Sequence, residues 1–273
     1  KYFIKKTKIA VFFLDEKQHV HVNDFVKIDN ITRIAEKSCN LKLDESIFVH
    51  SLTLQERCPS AEYYLEVLKD FLYDKSSSKK PTRLSKNNKY EIKLVDNKDD
   101  LLRIIKDKND EKQNNRTSRV VSGKGLKAKW ECYFKGEKIH ATDEESVNKV
   151  GNIDTCQGLD FEYIGVIIES DLVYNKKLDI KVENHQHDDN NISAKLTRNE
   201  KKELKNMYYG NRRNKTFIRY LRAHNQSLDD IKEIIKNTYY VLLTRGAKGC
   251  YIYCCDPELR KFLMNDIGIQ PLK

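Results

Sequence analysis

Arg245 stands in Val241-Leu-Leu-Thr-Arg-Gly-Ala-Lys-Gly249, just before the strand-forming run Cys250-Tyr-Ile-Tyr-Cys254. A guanidinium is permanently charged and presents a planar fork that matches phosphate oxygens. On a short glycine-flanked loop it can reach across an interface, although the same residue also reads as a charge closing a helix C-terminus. Upstream, Thr155-Cys-Gln-Gly-Leu-Asp-Phe161 precedes a second apolar run, Tyr163-Ile-Gly-Val-Ile-Ile168. Gly158 permits a tight turn with positive φ and a close backbone approach to a ligand. Gln157 can donate and accept hydrogen bonds, Asp160 can accept from a sugar hydroxyl, and Phe161 would anchor the loop. Taken alone, the string reads equally as an ordinary turn. Two more polar groups sit beside apolar segments, Asp15-Glu-Lys-Gln18 and Leu54-Gln-Glu-Arg57.

These groups need a scaffold, and the hydrophobic pattern supplies one. Lys8-Ile-Ala-Val-Phe-Phe-Leu14 is a continuous apolar run of the kind that forms a buried strand. Residues 29–38 read as a short helix and 46–54 as another strand. After Pro59, residues Ala61, Tyr64, Leu65, Leu68, Phe71 and Leu72 fall on one helical stripe. A polar connector over 74–90 follows. Next come a strand at 90–95, a helix capped by Asp96 that carries Leu101, Leu102, Ile104 and Ile105, and strands at 119–122, 150–154 and 164–168. Ser227 caps a helix running to about Leu243, and Tyr251–Cys254 closes the sheet. Asp256-Pro257 opens a terminal helix with Asp as cap and Pro in the first turn. Strands alternating with helices predict an α/β fold with a mainly parallel sheet.

The polar segment over about 170–225 interrupts this alternation. Within it, His185, His187, Asp188 and Asp189 read as an exposed loop in preference to a metal site. Lys201-Lys-Glu-Leu-Lys and Asn211-Arg-Arg-Asn-Lys215 form a basic patch interleaved with Tyr208, Tyr209, Phe217 and Tyr220. Cations among aromatics suit a single nucleic-acid strand, and they equally suit a solvated insertion packed on the sheet. Trp130 reads as a base-stacking platform or as core packing.

The chain has 273 residues, 39% hydrophobic and 34% charged, with a formal net charge of +10. That length is enough for a real core. No apolar run approaches the roughly 18 residues that span a bilayer. The positive charge is compatible with nucleic-acid contact, and also with a lysine-rich surface. Seven cysteines show no metal-ligand spacing, and Cys58, Cys156, Cys250 and Cys254 read as reduced core thiols. A cytoplasmic setting is expected. The first residue is Lys, and the sequence is read as part of a longer protein.

In order and in type, Gln18, Arg57, Gln157-Gly-Leu-Asp160 and Thr244-Arg245 resemble motifs three to six of superfamily 1 helicases. Residues 151–168 (GNIDTCQGLDFEYIGVII) and 237–255 (NTYYVLLTRGAKGCYIYCC) resemble the Schlafen group 3-like DNA/RNA helicase domain most closely. The resemblance covers most of 7–265, with a weak stretch at 175–225. It implies a RecA-like, mainly parallel sheet flanked by helices. Residues 1–45 would be the C-terminal remnant of a first RecA-like domain carrying motif three. Residues 46–273 would be the second RecA-like domain, with the polar basic insertion inside it.

The resemblance further implies an ATP-dependent helicase or nucleic-acid-dependent ATPase using ATP and Mg²⁺ and acting on single-stranded DNA or RNA. Gln18 would sense the γ-phosphate, and Arg57 and Arg245 would face it from the second domain. Gln157, Gly158, Asp160 and Thr244 would line the nucleotide side of the cleft. Asp160 stands where Glu is common, which shortens its reach to a sugar. The sequence contains no G-x-x-x-x-G-K-[ST]. Ser122-Gly-Lys-Gly-Leu126 carries a Gly-Lys pair without the required spacing or hydroxyl. A missing N-terminal RecA-like domain would therefore have to complete the site, and the chain alone is expected to be nearly inactive. The alternatives are a noncatalytic basic nucleic-acid-binding module and a degenerate truncated remnant.

Overall fold

Parallel strands need both faces covered, and the sequence provides helices for each. The computed structural model describes residues 2–20, 26–39, 41, 46–51, 61–73, 82–84, 90–111, 118–123, 144–156, 158–175, 178–180 and 228–272. Six strands form one sheet in the order β3-β2-β4-β7-β1-β8. They are β1 (Glu91–Leu94), β2 (Arg119–Ser122), β3 (Val150–Gly151), β4 (Phe161–Ile168), β7 (Gly246–Cys254) and β8 (Gln270–Pro271). Every pairing in this sheet is parallel. A small antiparallel hairpin, β5 (Leu172–Tyr174) and β6 (Leu178–Ile180), follows β4. The architecture is α/β, a mainly parallel sheet flanked by helices, consistent with a RecA-like core.

β4 explains the layering. All of its residues are buried, with Ile164, Val166 and Ile168 on one face and Tyr163 and Ile167 on the other. The first face is covered by α3 (Glu62–Tyr73), α6 (Leu228–Leu243) and α7 (Pro257–Phe262), through residues such as Leu68, Leu72, Ile235, Leu242 and Leu259. The second face is covered by α4 (Lys98–Asp110), through Leu101 and Ile105. α6 is fixed to the end of β4 by Tyr239. Its hydroxyl donates to Asp171 Oδ1 at 2.5 Å and accepts from the Glu169 amide at 3.1 Å.

The predicted elements from 61 to 272 recur with local corrections. α4 is capped by Asn97, which accepts from the Asp100 amide, so Asp96 is not its cap. Asp96 instead pairs with Arg260. The strand expected over 150–154 stops at Gly151, because Asn152 opens the one-turn helix α5 (Ile153–Cys156). Asn152 and Thr155 bond reciprocally, each side chain accepting from the other's amide, at 3.1 and 2.9 Å. That capping box satisfies the helix N-terminus. Tyr251–Cys254 does not close the sheet. It lies in central β7, between β4 and β1, and β8 forms the edge.

The N-terminal expectations fare differently. α1 (Tyr2–Lys6) and α2 (Ile28–Cys39) are helices, α2 agreeing with the helix expected over 29–38. The apolar run at 8–14 is not a strand and is not buried. Ile9, Val11 and Phe13 are 82%, 71% and 86% exposed. A strand is stabilised by its neighbours' hydrogen bonds and packing, and no described strand lies beside this segment. Residues 46–51 likewise hold only a single bridge, at Ile47. The rest of that expected strand, Pro59, Ser227, Cys58, Trp130, the 183–191 tract and the 201–220 patch lie outside the described residues.

Cys156, Cys250 and Cys254 are buried free thiols, as expected. Burial pushes the Cys254 and Cys255 thiols up to about 12. The folded state therefore favours the neutral thiol. Its contribution to stability is complete below the ordinary thiol value of about 8.5 and is lost as pH rises toward 12. Iodoacetamide at pH 8 should label these two thiols at least about 100-fold more slowly in the folded chain than in urea. Equal labelling rates would show that they are not held in the core.

Candidate functional site

The loop before β4 and the loop before β7 are brought together because these two strands are hydrogen-bonded neighbours. Phe161 pairs with Gly246, and the Phe161 amide donates to the Arg245 carbonyl at 3.2 Å. In return, Arg245 Nη1 donates to the Leu159 carbonyl at 3.3 Å. Side chain and backbone of Arg245 thus both engage the segment holding Gly158 and Asp160. All of this lies at the amino ends of β4 and β7.

The register at this point is irregular. Phe161 pairs with Gly246 and Tyr163 with Gly249, so β7 advances three residues while β4 advances two. A bulge of this kind bends the strand locally. Glycine is required in it: a Cβ on Gly246 would lie 2.1 Å from the Gly249 carbonyl oxygen. One on Gly249 would lie 2.5 Å from the Glu91 carbonyl oxygen. Gly158 has a different reason. Its φ is +86°, yet an added Cβ would meet nothing within 4 Å. The turn needs left-handed backbone and leaves open space above it.

Arg245 is buried, only 1% exposed, so its guanidinium forms the floor beneath the 158–160 loop. Thr244 is buried beside it, its hydroxyl turned back to the Tyr240 carbonyl at 2.9 Å. Asp160 and Gly158 are exposed at the rim. Gln157 and Arg57 lie outside the described residues. Gln18 lies on a separate surface segment, in the 3₁₀ turn Glu16–Gln18, where its side-chain amide donates to Asp15 Oδ2 at 3.0 Å. Glu162 follows the loop, pairing with Lys248 across the strands at 3.0 Å.

Two tyrosines hold this floor, and the sequence pattern marks them only as core. Tyr64 donates to the Leu243 carbonyl at 3.1 Å, and Tyr90 to the Gly246 carbonyl at 2.9 Å. Their rings stack at 4.8 Å between centroids. Together they fix the turn on either side of Thr244-Arg245. The sequence signals only that a buried phenol needs a hydrogen-bond partner, not which one.

The sequence model of the family described as Schlafen group 3, DNA/RNA helicase domain, matches residues 1–256. The chain belongs to this family. It is also similar to an uncharacterized protein of Saccharomyces cerevisiae, YPL245W, at 30% identity over 149 residues, which are 54% of this chain and 27% of that protein. The match therefore spans about a quarter of that relative. No solved structure matches.

Membership of the Schlafen group 3 family makes a nucleotide the group to test against this edge. A buried arginine, an open left-handed glycine and a rim carboxylate share this edge. Among the described residues no group of three or more His, Cys, Asp and Glu is placed to hold a metal ion. Nor is any helix among those residues long and apolar enough to cross a membrane.

The two kinds of glycine should separate in urea unfolding. Gly158→Ala is expected to cost about 1–2 kcal/mol, from left-handed backbone alone. Gly249→Ala should cost at least about 2 kcal/mol, because β1 and β7 must part to admit the methyl. Equal, small losses would mean that the strand register at the bulge is not as described.

Proposed function

We propose that this chain supplies the second-domain wall of a composite ATP site in a superfamily 1-like DNA/RNA helicase or nucleic-acid-dependent ATPase. The observation that carries this reading is the buried Arg245 beneath the Gly158–Asp160 loop, in a chain of the Schlafen group 3 helicase-domain family. ATP with Mg²⁺ would supply the bond whose hydrolysis drives movement. The ion's ligands and the phosphate loop would come from a first RecA-like domain.

In this reading Arg245 contributes fixed positive charge toward the phosphates, joined by Arg57. A preorganised cation is most effective in a dry site, where it needs no reorganisation. Domain closure over the Gly158 rim would provide that dryness. Asp160 would accept a hydrogen bond from the sugar, and Gln157 would line the same rim. Gln18 would contact the γ-phosphate from the first-domain side. Residues 1–45 would be the end of that first domain, and residues 46–273 the second domain. The exposed apolar run at 8–14 supports this division, since large contiguous apolar patches usually mark a surface that something covers. Single-stranded DNA or RNA would be the moving partner. The basic aromatic patch at 201–220 would be its contact on this chain.

The test is Arg245→Lys beside Arg245→Ala in the full protein, reading ATP turnover under saturating single-stranded nucleic acid. Both should lose at least about tenfold in kcat, because an ammonium cannot reproduce the planar fork. A loss smaller than tenfold in Arg245→Ala would remove its role at the phosphate. Intact nucleic-acid binding in that variant, lost on charge reversal at 201–215, would favour the noncatalytic binding module instead.

A further inference from the structure

Asn237 is a buried carboxamide on α6, eight residues before Arg245 in the sequence. A buried amide is costly unless its hydrogen bonds are made, and this one makes three. Its Oδ1 accepts from the Tyr73 hydroxyl at 2.7 Å. Its Nδ2 donates to the carbonyls of Glu16 at 3.2 Å and His19 at 3.0 Å. Those two carbonyls bracket the 3₁₀ turn Glu16–Gln18, so a single side chain holds both ends of the turn that carries Gln18.

A second contact secures the same turn. The Lys17 ammonium lies 4.7 Å from the Tyr73 ring centroid and 5.2 Å from that of Tyr240. The two rings meet edge to face at 6.0 Å. The charges around this ammonium are Asp15 on its own segment and Lys69 on α3. Inside the turn, Asp15 accepts from the Lys17 amide at 3.0 Å and from the Gln18 side chain at 3.0 Å. Gln18, Asp15 and Lys17 are therefore bonded into one unit with Asn237.

α6 is a stiff connection between this unit and the nucleotide-facing edge. It continues from Asn237 into Leu243 and then Thr244-Arg245. At a rise of 1.5 Å per residue, the separation is about 10 Å along the axis. Tyr239, two residues on, ties the same helix to the end of β4. We propose that Asn237 is a positioning residue that latches the Glu16–Gln18 turn to α6, so that displacement of Gln18 is transmitted along the helix to Arg245. This rests on the reading of Gln18 and Arg245 as two sides of one nucleotide site. Neither the nucleotide nor the nucleic acid touches Asn237 in this scheme.

Asn237→Asp is the discriminating variant, nearly isosteric but with no donors for the two carbonyls. Tyr73→Phe is the milder second variant, removing only the bond that orients the amide. Hydrogen exchange on the chain should show the amides of Lys17, Gln18 and His19 exchanging about tenfold faster in both, with β4 and β7 amides unchanged. In the full protein, stimulation of ATP turnover by single-stranded nucleic acid should fall about fivefold while the KM for ATP moves less than about twofold. Unchanged exchange at Lys17–His19 would overturn the latch. Faster exchange with full stimulation would overturn the coupling. If Arg245→Ala keeps its turnover, the nucleotide-site reading fails, and the exchange measurement still decides whether Asn237 holds the turn.

Discussion

The pairing of β4 with β7 is the constraint on which the site depends. Two parallel strands in the centre of a sheet must start side by side, so the loops that lead into them share one edge. Here the shared start is Phe161 against Gly246, and the exchanged bonds between Arg245 and the 159–161 segment follow directly. That pairing brings two strings distant in sequence within hydrogen-bonding distance. The bulge that follows is possible only because Gly246 and Gly249 leave room for backbone against backbone. Beyond the bulge the register is held by unbroken pairing from Tyr163 with Gly249 to Ile168 with Cys254.

The helices serve this edge from one side of the sheet. Tyr64 of α3 and Tyr90, at the entrance to β1, clamp the turn around Arg245 through its neighbours' carbonyls. α6 delivers Arg245 to the turn and, through Asn237 and Tyr240, also carries the contact with the Glu16–Gln18 segment. One helix thus touches two of the parts of the chain that the superfamily 1 resemblance assigns to nucleotide response. The opposite, carboxyl edge of the sheet holds a different network, Tyr239 with Asp171 and Ser122 with Glu169 at 3.1 Å. That network ties the strand ends to α6.

Much of this was legible in the sequence, for identifiable reasons. Continuous apolar runs at 164–168 and 250–254, and the stripe at 61–72, are strong signals because burial on both sides of a parallel sheet leaves no polar alternation. The left-handed turn at Gly158 and the place of Arg245 just before a strand were legible from residue chemistry together with motif order. The run at 8–14 misled because its apolarity states only that something should cover it, and no described strand does. The Asn97 cap lay one residue from the expected Asp96, a distinction that only backbone geometry makes. Asn237 and the two clamping tyrosines were illegible as site residues, since their partners are backbone carbonyls far away in sequence. Periodicity does not report such contacts.

The claim that Arg245 and its loop form one wall of a divided nucleotide site is tested most directly by complementation. ATP hydrolysis would be measured with and without single-stranded DNA for this chain alone, for a separately produced upstream RecA-like domain, and for the two mixed. The account predicts near-background turnover for each part and DNA-stimulated turnover for the mixture. Stimulated hydrolysis by the upstream domain alone, unchanged on adding this chain, would contradict it.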